Sequence, residues 1–356
     1  MENVLAAEDE RPRVITALVL TAVLIALLAG APVTAGVNGT ARAQLTADAV
    51  MTPGETDPPS GTVSGRLTCF VSILPLAYFA EQIGGNHVTI EVMVGPGQSP
   101  ATYEPTAKQL SRLADARIFF SIGVPFEASI LPRIKKDFKN VTIVDARSGI
   151  VPMEMSDGRD VGAKPAGGIH DHGRSGLDPH VWLSPRLAKT IAANIRDGLA
   201  AADPVHGSAY NANCDTLLAM LDELDRRIAA MMAPFKGRRF YVFHPAYGYF
   251  AAEYGLEQVA IELEGATPGP KHLAEVIDQA KADHVRVLFV QPQFSKNTAQ
   301  MIADAIGAKI VTLDPLARDY PVNMLDIADR IAEALGGGND SPPDGSARDG
   351  TPPEEP

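Results

Sequence analysis

The strongest constraint in this sequence is a repeated alternation of short β-rich runs with amphipathic stretches, in two sets separated by a long helical region. In the first set LTCFVSIL is followed by LAYFAEQIG, then VTIEVMV, TAKQLSRLADA, RIFFSIG, a helical stretch near FEASILPRIKKDF, and VTIVDA. The second set begins after Lys236 with RRFYVFH, a helix near Tyr249, QVAIEL, KHLAEVIDQAKAD, VRVLFVQP, a helix near Thr298, and AKIVTLDP. Strands alternating with helices make parallel βαβ units, because a parallel partner strand can be reached only through a crossover. Two sets of four strands predict an α/β protein of two similar lobes, each with a four-stranded, mostly parallel sheet flanked by helices. Between them one helix is expected over about Pro185 to Ala201. A second follows Asp203-Pro204, a capping residue with proline at the first helical position, and runs to about Met232. At 1.5 Å per residue the second helix reaches roughly 40 Å, a stiff bridge that permits only modest hinge motion.

The ends of the chain read differently. Arg11 and Arg13 precede the apolar run VITALVLTAVLIALLAG (Val14 to Gly30), and small residues around Ala41-Arg42-Ala43 follow. Charge, apolar stretch and small-residue site make residues 1–43 a signal peptide and place the mature protein in the periplasm. Acidic residues before the arginines and the length of the run keep an uncleaved membrane anchor as the alternative. Residues 44–65, rich in Thr, Pro, Gly and Ser, read as a flexible linker, and residues 337–356 as a disordered tail. The expected organisation is then a first lobe over 66–202, the bridging helix over 203–235 and a second lobe over 236–336. The whole chain has 356 residues, 46% of them hydrophobic, so two cores are affordable. A formal net charge of −12 argues against a nucleic-acid surface and is compatible with a cationic ligand. The two cysteines, Cys69 and Cys214, are expected to be buried hydrophobes, unpaired, and neither has zinc-thiolate spacing.

Ligands of parallel α/β sheets gather at the carboxyl ends of strands. His244 ends RRFYVFH, Asp314 ends AKIVTLDP, and His180 stands in DPHVWLSP after the first set. Two histidines and a carboxylate from both lobes suit a borderline divalent ion. Each has a plain structural reading as well: a hydrogen-bonded strand-end histidine, or an aspartate capping a turn before proline. Asp178 is a turn former that could also orient His180. Trp182, Tyr241, Tyr247 and Tyr249 are expected to be core. Glu262 and Glu264, at the exit of a second-lobe strand, could face the cleft, but are expected first to form or cap the turn toward Pro268 and Pro270. Gln291 and Gln293 could donate amide hydrogens to a ligating carboxylate.

Five dispersed segments carry a resemblance: VGPGQSPATYEPTAKQL, DPHVWLSPRLAKTIAANI, DPVHGSAYNAN, FHPAYGYFAAEYGL and LDPLARDYPVN. In this order they resemble the zinc- and manganese-binding solute-binding proteins of metal ABC transporters. The resemblance implies one divalent metal ion as transported ligand, Zn2+ favoured over Mn2+, held between two lobes joined by a long helix. It also implies a monomer whose partner is a membrane permease, and no enzymatic activity. Carried over by position, His180, His244 and Asp314 become metal ligands. The first-lobe loop departs from the pattern: where a histidine usually follows the proline, Pro100 is followed by Ala101. Water, a histidine of the loop GGIHDHGRSG (His170 or His172), or Glu104 could take the missing place. The rival readings are a metal-dependent hydrolase with a two-His, one-Asp site, and an adhesin or metal buffer without transport. Against the first, there is no HExxH pattern and no GxSxG elbow.

Overall fold

The computed structural model describes residues 65–155, 176–262 and 269–336. The expected signal peptide, nearly all of the linker, the tail, His170, His172 and Glu264 lie outside these residues. The first lobe runs β1 (Leu67–Val71), α1 (Leu74–Gly84), β2 (Val88–Val92), α2 (Ala107–Ala114), β3 (Ile118–Ser121), α3 (Glu127–Asp137) and β4 (Thr142–Asp145). The second runs β5 (Arg239–Val242), α6 (Gly248–Tyr254), β6 (Glu257–Ala260), α7 (Pro270–Ala282), β7 (Val287–Val290), α8 (Lys296–Ile306), β8 (Lys309–Thr312) and α9 (Tyr320–Gly336). The strand orders are β2-β1-β3-β4 and β6-β5-β7-β8, all pairs parallel. The two lobes therefore share one topology, as the alternation predicts. In each, the chain reverses its direction of travel between the first and third strands, and that crevice is where such sheets hold ligands.

Between the lobes stand α4 (Pro185–Ala202) and α5 (Gly207–Met232). The start of α4 explains the LSP in its motif: Ser184 Oγ accepts from the Leu187 N–H at 3.2 Å, and Pro185 takes the first helical position, where no N–H is needed. Helix α5 spans 26 residues, about 39 Å at the usual rise. Its buried residues Tyr210, Cys214, Leu217, Leu221, Leu224, Ile228 and Met232 recur at three- and four-residue steps and form one apolar stripe. That stripe packs on α1, α4 and α9. Both cysteines are buried free thiols, and burial alone pushes the Cys69 thiol up to about 12.

A single buried cluster runs from the first lobe through α4, α5 and α9 into the second, joining Phe79, Ile195, Leu221, Met324 and Phe250. Among the described residues, only the outer face of the second sheet has a core of its own. Strand parity divides it: Tyr241, Val259 and Leu288 belong to the outer core, Phe240, Val242 and Phe289 to the shared one. Helix α9, which starts within the segment LDPLARDYPVN, buries Tyr320, Met324, Ile327, Ala328, Ile331 and Leu335 and closes the second lobe against the bridge.

Candidate metal centre

His244 leaves the carboxyl end of β5 at the crevice of the second lobe. Its backbone N–H donates to Gln291 Oε1 at 3.2 Å, and Gln291 Nε2 donates to its carbonyl at 2.9 Å. Gln291 ends the neighbouring strand β7, so the two strand ends are laced together and the imidazole has a fixed base. The ring stacks on Phe294 at 5.0 Å between centroids. Its Nδ1 lies 2.6 Å from Glu262 Oε2, a carboxylate only 3% exposed. Glu262 thus grips the histidine directly, the cleft-facing of the two positions open to it, and the turn that follows lies outside the described residues. A chain leaving the parallel neighbour β6 delivers its side chains to the same crevice as β5, and that adjacency follows from strand order rather than from sequence spacing. Burial holds His244 below the ordinary imidazole value; the Glu262 hydrogen bond opposes this, and the neighbouring His180 adds to it.

His180 belongs to the segment that returns from the first lobe to α4. It repeats the arrangement: its Nδ1 lies 2.7 Å from Asp178 Oδ1, which also accepts the His180 backbone N–H at 2.9 Å. Asp178 is 2% exposed, so it acts as more than a turn former. The segment is fastened to the second lobe on both sides. Tyr249 Oη donates to the Asp178 carbonyl at 3.0 Å and accepts the Met153 N–H at 2.9 Å. Trp182 Nε1 donates to the Pro315 carbonyl at 2.7 Å, and Tyr320 Oη donates to the Trp182 carbonyl at 2.7 Å. Trp182 and Tyr249 are buried, as core residues are expected to be, but their polar ends position the segment that carries His180. Arg318 adds an ion pair to Glu81 of α1.

The outcome is that His180 and His244, 64 positions apart in sequence, bring their rings to 5.3 Å between centroids with planes at 74°. Asp314 stands after β8. Its Oδ1 accepts from Gln293 Nε2 at 3.1 Å and from the Leu316 N–H at 3.0 Å. The amide donation expected of Gln293 is therefore present, whereas Gln291 serves His244. The Tyr247 hydroxyl is buried beside Asp314 without a hydrogen-bond partner among the described residues, and burial first, then the Asp314 charge, raise it well above the ordinary phenol value. Among the described residues, no three His, Cys, Asp or Glu side chains stand close enough to hold a metal ion together. In the first-lobe loop, Ala101 and Glu104 are both exposed. The Ala101 N–H donates to Ser99 Oγ at 3.3 Å, and the Pro100 carbonyl accepts from Phe126 N–H at 3.2 Å.

The crevice of the first lobe is occupied by its own residues. Glu127, 3% exposed, accepts from Ser72 Oγ, from the Ile122 N–H at 2.8 Å and from the Gly123 N–H at 2.7 Å. Burial raises its pKa, opposed by these three donors and by Arg147. This carboxylate ties the ends of β1 and β3 together as Gln291 does for β5 and β7. No sequence motif announces it.

Comparison with known proteins gives the fold a family. The model of the family described as "ZnuA: Zinc-uptake complex component A periplasmic" matches residues 69–334. The zinc-binding lipoprotein AdcA of Streptococcus pneumoniae is 30% identical over 260 residues, covering 71% of this chain and 50% of its own. The chain thus spans about half the length of the curated relatives it matches. A crystal structure of ZnuA superposes with a TM-score of 0.69 at 37% identity, covering 76% of this chain and 100% of that one. A ZnuA deletion mutant with zinc bound gives the same TM-score at 38% identity, covering 76% and 98%. With two parallel four-stranded lobes, a bridging helix and a family match over 266 residues, the chain belongs to the ZnuA family of periplasmic zinc-uptake components.

Proposed function

We propose that this chain is the extracytoplasmic solute-binding component of a zinc ABC importer, capturing one Zn2+ between its lobes and presenting it to a membrane permease. The observation that carries the reading is the meeting of His180 and His244 at 5.3 Å. A tetrahedral zinc lies about 2.05 Å from each ligating nitrogen, hence roughly 3.2 Å from the ring centroid, and two such rings stand about 5.2 Å apart. The observed spacing needs little adjustment. Each histidine has its Nδ1 held by a buried carboxylate, which assigns the proton to Nδ1 and leaves Nε2 to ligate.

Asp314 is the third ligand in this reading. One of its oxygens is held by Gln293 and Leu316, and the other is the ligating atom once the ion draws the loop inward. The fourth place falls to water, to His170 or His172, or to Glu104. Histidine-rich ligation favours Zn2+ over Mn2+, which prefers added carboxylate and water. The ion is cargo, released unchanged, so the chain is a binding protein and works as a monomer outside the cytoplasm, exported by residues 1–43. Calorimetry with elemental analysis tests the reading: one Zn2+ per chain is expected, and His244→Ala should weaken binding at least about a hundredfold. Absence of stoichiometric metal at neutral pH would overturn it.

A further inference from the structure

The opposite end of the second sheet, where β5 and β7 begin, carries chemistry the metal reading does not use. Two adjoining cavities of about 480 and 620 Å³ open there, sharing His284, Val285 and Arg286 as walls. Lys281 lines the smaller, and Lys236, Arg238 and Arg239 the larger. In a chain of net charge −12 this is a local reversal of sign. Two carboxylates, Glu257 and Asp283, also line the larger cavity, but both are committed to Arg239, at 2.9 and 3.4 Å. Asp283 further accepts from Tyr241 Oη at 2.7 Å and Gln279 Nε2 at 2.8 Å. The exposed cations Lys236, Arg238 and Lys281 have no ion pair of their own among the described residues.

A second, independent observation concerns the backbone. Helices α6 and α8 end on left-handed glycines, Gly255 and Gly307, the residue that geometry favours. Helix α7 ends the same way, with the Val285 N–H returning to the Ala280 carbonyl, but its left-handed residue is His284 at φ 52°. Among the described residues it is the one non-glycine at positive φ. An imidazole stands where glycine would be less strained, and it stands in the wall of both cavities. Histidine tolerates this region better than most residues, and residues held there cluster at functional sites.

We propose that this end of the second lobe is a binding site for a multivalent oxyanion of the phosphate class, held by Lys236, Arg238, Lys281 and the His284 ring. Lysine and arginine supply the charge and the donors such an anion requires. The source is either a free phosphate or a phospholipid headgroup. The test uses the full mature chain, metal-free, at low ionic strength and fixed pH. Inorganic phosphate should shift the His284 ring signals in NMR saturably, and the Lys236→Gln, Arg238→Gln, Lys281→Gln triple variant should weaken this by about tenfold or more. Zinc affinity should be unchanged in that variant. Co-sedimentation with phosphatidylglycerol vesicles, lost in the triple variant, assigns the headgroup; phosphate binding without it assigns the free anion. His284→Gly should raise the melting temperature by about 2 °C while weakening phosphate binding. No saturable binding of either probe, or binding undiminished in the triple variant, overturns the proposal.

Discussion

Replacing Glu262 by Gln probes the candidate centre without removing a proposed ligand. The wild-type carboxylate is buried and 2.6 Å from His244 Nδ1. Glutamine is nearly isosteric, and its carbonyl oxygen can still accept the Nδ1 proton, so the ring orientation should survive. What is lost is the charge on the acceptor. A hydrogen bond to an ionised group contributes about 1.5–3 kcal/mol against about 1 for a neutral pair. The difference, about 0.5–2 kcal/mol, falls on the zinc-bound state, in which His244 carries extra positive character. Every 1.4 kcal/mol is tenfold in affinity, so Glu262→Gln should weaken zinc binding by about 2- to 30-fold. That range overlaps the effect of losing a partner that orients a metal ligand. Competition against a chelator of known affinity at pH 7.5 measures it, with circular dichroism to establish that the fold is retained. A variant indistinguishable from wild type would show that Glu262 does not act on the metal through His244.

Three further outcomes follow from the same geometry. A methyl group at Gly248 would sit 2.8 Å from Asp178 Oδ2, so Gly248→Ala should displace the carboxylate and weaken zinc binding by about tenfold, read by the same competition, without loss of helix propensity in α6; unchanged affinity would detach Asp178 from His180's role. Because burial lowers the His244 pKa, the unfolded chain takes up a proton near the ordinary histidine value before the native state does, so stability of the metal-free protein should fall as pH drops below about 6.5; melting curves from pH 7.5 to 5 check this, and a His244→Gln variant with the same pH slope would refute the assignment. Ala101→His should tighten zinc binding by at least about tenfold if the loop reaches the centre, and calorimetry showing no gain would place position 101 away from the ion.

The fold was legible because period-two and 3.6-residue patterns are local, and each set of four strands repeats them. Helix α9 begins inside LDPLARDYPVN, where Asp319 accepts the Val322 N–H and Pro321 stands in the first turn, so the sequence marks its start, but its length rests on an apolar stripe alone. His180, His244 and Asp314 stand out as polar residues at strand ends or in motif loops. The orienting carboxylates were partly hidden: Asp178 lies two residues from its histidine, but Glu262 reaches His244 only because β6 pairs with β5. Glu127 is a clearer case. Its work is to accept hydrogen bonds from three residues of two strand-end loops, and nothing in the string GVPFEAS signals burial of a charge. The apolar bodies of Tyr249 and Trp182 predict burial, whereas their polar ends fasten the His180 segment.

The apolar cluster shared between the lobes bears on how an ion can get in and out. Uncovering even two residues of Leu size from it would cost about 3–6 kcal/mol, a large share of a domain's whole stability. Phe79, Leu221 and Phe250 belong to that one cluster, so swinging the lobes apart is a partial melting of the protein rather than a hinge motion. Traffic to His180 and His244 should instead run through movements of the loops around them, over a body whose dimensions stay constant. Solution scattering should give the same radius of gyration with and without zinc, and a contraction of several ångströms on loading would contradict this. Cutting the chain at the Asp203-Pro204 junction should yield two pieces that cannot fold apart, because each loses its share of that one cluster.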